Sequence, residues 1–68
     1  MPNTELLKEK MKQMHITQAQ LAQKLGLAVP TVCQKINNNR PFSLDEAEIV
    51  ATVLQIKDKD FSAYFFNK

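Results

Sequence analysis

The sequence predicts an all-α domain, a compact bundle of five helices, and three observations carry that prediction. Apolar residues recur three and four positions apart along five segments, which is the spacing of one helix face. No alternating run of β-branched residues exceeds about four, so no convincing strand is present. The 68 residues are 44% hydrophobic and 24% charged, the composition of a globular chain and the length of one domain, residues 1–68.

The elements follow in order. Asn3 or Thr4 can cap a first helix, with Glu5 in its first turn, where the helix dipole favours an anion. Leu7, Met11 and Met14 form its buried stripe, Leu6 widens it, and the helix ends near Met14–His15. Thr17 stands three residues before Gln20, a capping box that opens a second helix with Leu21, Ala22 and Leu25 inward. Gly26, the only glycine, follows where a helix end wants a left-handed residue. A third helix starts around Ala28–Pro30, since proline is tolerated in a first turn. Val29, Val32 and Ile36 give its inner face; Pro30, Thr31, Gln34 and Asn38 point the opposite way, with Lys35 flanking. Asn37-Asn38-Asn39 ends it, because asparagine tolerates left-handed backbone. Ser43 and Glu46 make a second capping box for a fourth helix, whose core face is Leu44, Ala47, Val50, Ala51 and Leu54. A fifth helix starts at Asp58 or Asp60 and carries Phe61, Tyr64, Phe65 and Phe66.

Composition excludes several classes of function. One glycine is too few for a Walker A or dinucleotide-binding loop. One cysteine and one histidine cannot build a structural zinc site, and one cysteine forms no internal disulfide. Neither a nucleophile nor an acid–base constellation can be named, so the expectation is no enzyme, no cofactor, no metal and no evident small-molecule ligand. Cys33 reads as a boundary residue of the third helix, His15 as a helix-end residue and the three methionines as packing. The N-terminal segment has no signal-peptide core, and no apolar stretch approaches the ~18 residues of a membrane span, so a cytoplasmic location is expected.

Charge is unevenly placed. Lys8, Lys10, Lys12, Lys24, Lys35 and Arg40 face only Glu5 and Glu9 in residues 1–42, and no acid lies between Glu9 and Asp45. Residues 43–68 carry a net negative charge. The acid-free stretch coincides with helix, three-residue turn, helix over about residues 17–37, the layout of a helix-turn-helix. Ala22 is small where the two backbones approach, and Leu21 and Leu25 can pack on Val32 and Ile36, leaving the outer face of the third helix projecting. Such a helix fits the DNA major groove, and its outer residues are short and polar.

The segment ITQAQLAQKLGLAVPTVCQKINNNR, followed by RPFSLDEA, resembles the DNA-binding unit of the Cro/C1-repressor-type (XRE) helix-turn-helix family, in versions found in phages and mobile elements. The resemblance covers about residues 5–56 and implies a lambda-repressor-like DNA-binding domain. It implies that Gln18 clamps a phosphate at a helix N-terminus, that Pro30, Thr31 and Gln34 face base edges with Lys35 near bases or phosphate, and that Asn37, Asn39 and Arg40 hold the opposite backbone. Ala28 stands where the family has a Ser or Thr cap, and Asn38 where it has glycine.

The four aromatics within residues 61–66 exceed what so short a helix needs. Phe61 and Phe65 are expected to close the core, leaving Tyr64 and Phe66, with Ile49 or Val53, as a homodimer surface that makes the segment at about 58–66 the dimer element. The expected function is a sequence-specific transcriptional regulator, a repressor binding a palindromic operator in double-stranded DNA as a dimer. The alternative is a protein-interaction module of the same fold, an antitoxin or the partner of another regulator. The resemblance also leaves open a restriction–modification controller.

Overall fold

The computed structural model describes residues 2–66. Among them the chain forms α1 (Thr4–Gln13), α2 (Gln18–Leu25), α3 (Val29–Ile36), α4 (Leu44–Val53) and α5 (Asp58–Phe65), with no strand. Three of the five starts take up the amides a first turn leaves open. Asn3 Oδ1 accepts from the Leu6 amide at 3.1 Å. At Thr17 and Ser43 both halves of a capping box form with Gln20 and Glu46. Before α3, Ala28 offers no side-chain cap, and Pro30 in the first turn supplies a preset φ instead. The start of α5 at Lys57 also lacks a side-chain cap and carries Asp58 and Asp60 in its first turn.

Four helices stop in the same way. His15, Gly26, Asn38 and Gln55 all have positive φ, between 56° and 70°. Each left-handed residue lets the two amides that follow the helix bond back into its last turn. The Ile16 amide reaches Met11 O at 2.9 Å, Leu27 reaches Ala22 O at 3.0 Å, Asn39 reaches Gln34 O at 2.8 Å and Ile56 reaches Ala51 O at 2.8 Å. Only one of the four positions is glycine. A Cβ built on Gly26 would meet nothing within 4 Å, so torsion rather than space calls for glycine there.

These reversals bring α2 against both α3 and α4, and α1 against α3 and α5. Leu7, Leu21, Val32, Ile36, Val50 and Leu54 are fully enclosed at the centre, with Ala22 small where α2 meets its neighbours. Phe65 closes the core from α5, with Phe61 tilted on it at 4.8 Å between ring centroids and Phe42 meeting it edge-on at 5.9 Å. Ile16, Leu27 and Phe42, all between helices, pack on this cluster as well. Among the described residues no helix is long and apolar enough to cross a membrane.

Three residues expected on core faces lie outside it: Leu6, on the flank of the α1 stripe, is exposed, and two others stand at helix starts. Leu44 is 61% exposed and Val29 45% exposed. Each is the first residue of its helix, and helical Cα–Cβ bonds tilt toward the N-terminus, so both side chains lean off the helix end instead of over the core. Periodicity places them on the correct face but not at the correct height.

The helix ends set two opposite expectations for stability. Gly26→Val forces a β-branched residue into left-handed backbone and should cost about 1–3 kcal/mol, much of which Gly26→Asn should avoid. Gln55→Gly relieves the same torsion and should stabilise by about 0.5–1 kcal/mol, raising Tm by about 3–5 °C. Thermal unfolding followed by circular dichroism reads both; a lower Tm for Gln55→Gly would contradict the torsional account.

Candidate nucleic-acid interface

The site is built on α3. α2 and α1 cover its Val32–Ile36 side, leaving Pro30 and Gln34 exposed and Thr31 half-buried on the side away from the core. Gln18, half-exposed, is the first residue of α2, directly after the Thr17 capping box. Its neighbour Gln20 is committed to that box, its Oε1 accepting from the Thr17 amide at 2.7 Å. No acid lies in the first turn of either helix. Asn39 and Arg40 are exposed just past the end of α3.

Lys35 departs from the expectation that it reaches bases or phosphate. Its ammonium is tied inside the protein: Nζ donates to Glu46 Oε1 at 2.7 Å and to Pro41 O at 3.0 Å. The two side chains are only 11% and 21% exposed. Lys35 is 60° round the helix from Val32, so its aliphatic stem follows the core stripe and its head emerges under the loop that leads to α4. The same Glu46 oxygen also accepts from the Ser43 amide at 2.9 Å. The capping box was legible, but nothing in the spacing showed that its glutamate has a second partner eleven residues back.

Asn37 is also partly withdrawn. Its Nδ2 donates to Cys33 O at 2.9 Å and lies 3.4 Å from Cys33 Sγ, so its donor turns back onto α3. Lys24 is exposed but lines a cleft with Asp45 and Glu48 of α4, where acids offset it. Of the residues expected to contact DNA, those left facing outward are therefore Gln18, Pro30, Thr31, Gln34, Asn39 and Arg40, with Arg40 the cation among them.

The four residues expected to share a dimer surface are not brought together. Phe66 is 58% exposed and lines an apolar groove of about 400 Å³ with Pro2, Phe42 and Leu44. Ile49 and Val53 line the separate cleft beside Lys24. Tyr64 is half-buried, packs on the core, and its carbonyl accepts from the Asn3 amide at 2.7 Å, which fastens the start of α1 to α5.

The Lys35 ammonium, and next the Ser43 amide, hold the Glu46 carboxyl below its ordinary value of 4.5. A carboxylate with a depressed folded value adds stability that is complete above its unfolded pKa and is lost as pH falls through the folded one. Stability should therefore decline below about pH 4.5 through this group, and Glu46→Gln should flatten that part of the profile. Urea midpoints measured between pH 3 and 6 check it; parallel profiles for parent and variant would dissociate Glu46 from the acid limb.

A helix pair joined by a tight left-handed turn, with its second helix projecting through an acid-free surface, matches a known family. The family model described as helix-turn-helix matches residues 7–61, from the first buried leucine of α1 into α5. Comparison with curated proteins and with solved structures gives no significant match. The family match spans most of the chain, and the chain belongs to the Cro/C1-type (XRE) helix-turn-helix family of DNA-binding transcription regulators.

Proposed function

We propose that the protein is a repressor that reads a palindromic operator as a dimer. One observation carries the proposal: the outer face of α3 presents Thr31 and Gln34 beside Pro30, is free of acids, and is covered by no other helix among the described residues. Gln34 has the amide that pairs bidentately with adenine, Thr31 a hydroxyl that can donate or accept, and Pro30 an apolar edge for a thymine methyl. Gln18 and Asn39 supply neutral phosphate contacts, and Arg40 the charged one. Lys35 has no part in base reading here, because moving its ammonium to DNA would strand Glu46.

Dimerisation supplies the second half-site. One projecting helix reads only a few base pairs, and two-fold pairing would set two such helices about one DNA turn apart. Phe66 and Leu44, large, apolar and over half exposed along one groove, support α5 together with the start of α4 as the contact surface. The same groove supports the second reading, an interaction module that captures another protein. Selection of bound duplexes from a random pool separates the two: a repressor returns a two-fold consensus, and an interaction module returns none.

Gln34→Ala should weaken binding to the selected site by about 1–3 kcal/mol and binding to random duplex far less. Arg40→Ala should weaken both alike and lower the salt slope by about one unit, since it alone of the two releases a counterion. Titrations by fluorescence anisotropy at several salt concentrations check both; equal losses on the two duplexes for Gln34→Ala would remove it from base reading. For assembly, Leu44→Ser with Phe66→Ser should leave the helices intact while abolishing cooperative binding to a two-half-site duplex. Sedimentation of parent and variant, free and on that duplex, is the check, and a parent that stays monomeric in both states contradicts the dimer.

A further inference from the structure

Arg40 is exposed on a short connection between α3 and α4, and side chains from two other parts of the fold grip the backbone on either side of it. Before it, Asn38 has φ of 66°, and its Nδ2 donates to Thr4 Oγ1 at 3.1 Å. The same threonine hydroxyl donates to Ile36 O at 2.6 Å, so α1 clamps the end of α3 and the turn together. After it, the carbonyl of Pro41 accepts from Lys35 Nζ at 3.0 Å, and Glu46 fixes that ammonium from the first turn of α4. The amides of Asn39 and Arg40 both point back to Gln34 O, at 2.8 and 3.3 Å.

Stability alone gives little reason for an ion pair there. Taking a lysine and a glutamate largely out of water carries a desolvation cost, and well-packed apolar side chains at such sites are often as stabilising. What an apolar pair cannot do is hold a backbone carbonyl. Lys35 reaches the residue directly after Arg40, and no other side-chain hydrogen bond to that carbonyl is present among the described residues.

We propose that Lys35 and Glu46 form a positioning device for DNA binding, which fixes the Pro41 carbonyl so that Arg40 is presented to the phosphate backbone in an ordered state. A long side chain on a loose loop loses much of its contact energy to the entropy of ordering; one on a held backbone loses less. The proposal rests on the reading of Arg40 as a phosphate contact, and it makes Lys35 act through Arg40 without touching DNA itself.

The test is a cycle between Arg40→Ala and the pair Lys35→Met with Glu46→Gln. That pair removes both charges at once, so neither is stranded, and keeps an amide oxygen for the Ser43 amide. Circular dichroism checks that the helices remain. Should the double variant unfold, Glu46→Gln alone enters the same cycle. The probe is a labelled mixed-sequence duplex about two helical turns long. In the parent, Arg40→Ala should weaken binding about five- to tenfold. In the Met/Gln background it should weaken it less than about twofold, with a salt slope already about one unit lower. The full parental loss in that background overturns the proposal.

Backbone ¹⁵N order parameters give a readout that needs no DNA. The amides of Asn39 and Arg40 should fall from the rigid range, about 0.85, toward 0.6 in the double variant while α1 to α5 stay rigid. Unchanged order at those two amides overturns the device whatever the duplex shows. Loss of order without any binding cost for Arg40→Ala in the parent would instead place the failure in the phosphate reading of Arg40.

Discussion

A chain this short has one core to share among five helices, and each helix reaches that core only if the chain can turn back sharply at its end. The left-handed residue after α1, α2, α3 and α4 is the constraint that makes this possible. It returns two amides into the last turn, satisfies carbonyls that would otherwise need water, and delivers the next residue inward. After His15, Gly26 and Gln55 that next residue is Ile16, Leu27 or Ile56, and all three pack on the core. After Asn38 it is Asn39, which stays exposed. The one reversal that delivers a polar residue outward is the one beside the proposed DNA contacts. The same backbone device thus builds the core three times and a surface once.

Different parts of this arrangement were legible in the sequence to different degrees. The capping boxes at Thr17 and Ser43 and the left-handed Gly26 are local chemistry, in which a few consecutive residues determine the outcome, and all three are found where the spacing placed them. Asn38 follows from the same local logic. Other features depend on information that short spacing does not carry. Helical angle alone points Leu44 and Val29 inward, but burial also depends on where along the axis a neighbour lies, and a first-turn side chain leans past that point. Ile16, Leu27 and Phe42 belong to no helical period and so carried no signal, although an apolar residue directly after a left-handed position could have marked two of them. The partner of Lys35 is distant in sequence: with no acid between Glu9 and Asp45, nothing local marks the lysine as paired, and only the fold brings Glu46 under it.

That correction changes the electrostatic account of binding. With Lys35 neutralised internally and Lys24 set among the acids of α4, the surface around α3 offers little free positive charge besides Arg40. Non-specific affinity for DNA grows with the number of counterions displaced, so a surface with few free cations binds random sequence weakly and depends less on salt. In the proposed reading, hydrogen bonds from Gln34 and Thr31 to base edges would not be discounted in this way, because they depend on sequence instead of charge. The ratio of specific to non-specific binding would then benefit from the missing cations, even as total affinity declines.

The lost affinity has to be made up by geometry. Two half-sites engaged by one dimer add their binding free energies while translational and rotational freedom is lost only once. An ordered Arg40 wastes less of a single ionic contact than several loosely held lysines would. Under the proposed positioning role, the largely enclosed Lys35–Glu46 pair and the sparse surface charge would belong to one arrangement: a cation placed beneath the surface would give one arginine a fixed position. The apolar groove between Leu44 and Phe66 lies at the far end of the same loop, and Arg40 and Pro41 line it as well. Were two chains to pair through that groove as proposed, contact there and contact at the phosphate backbone would act on the same few residues, and pairing and grip on DNA should strengthen each other.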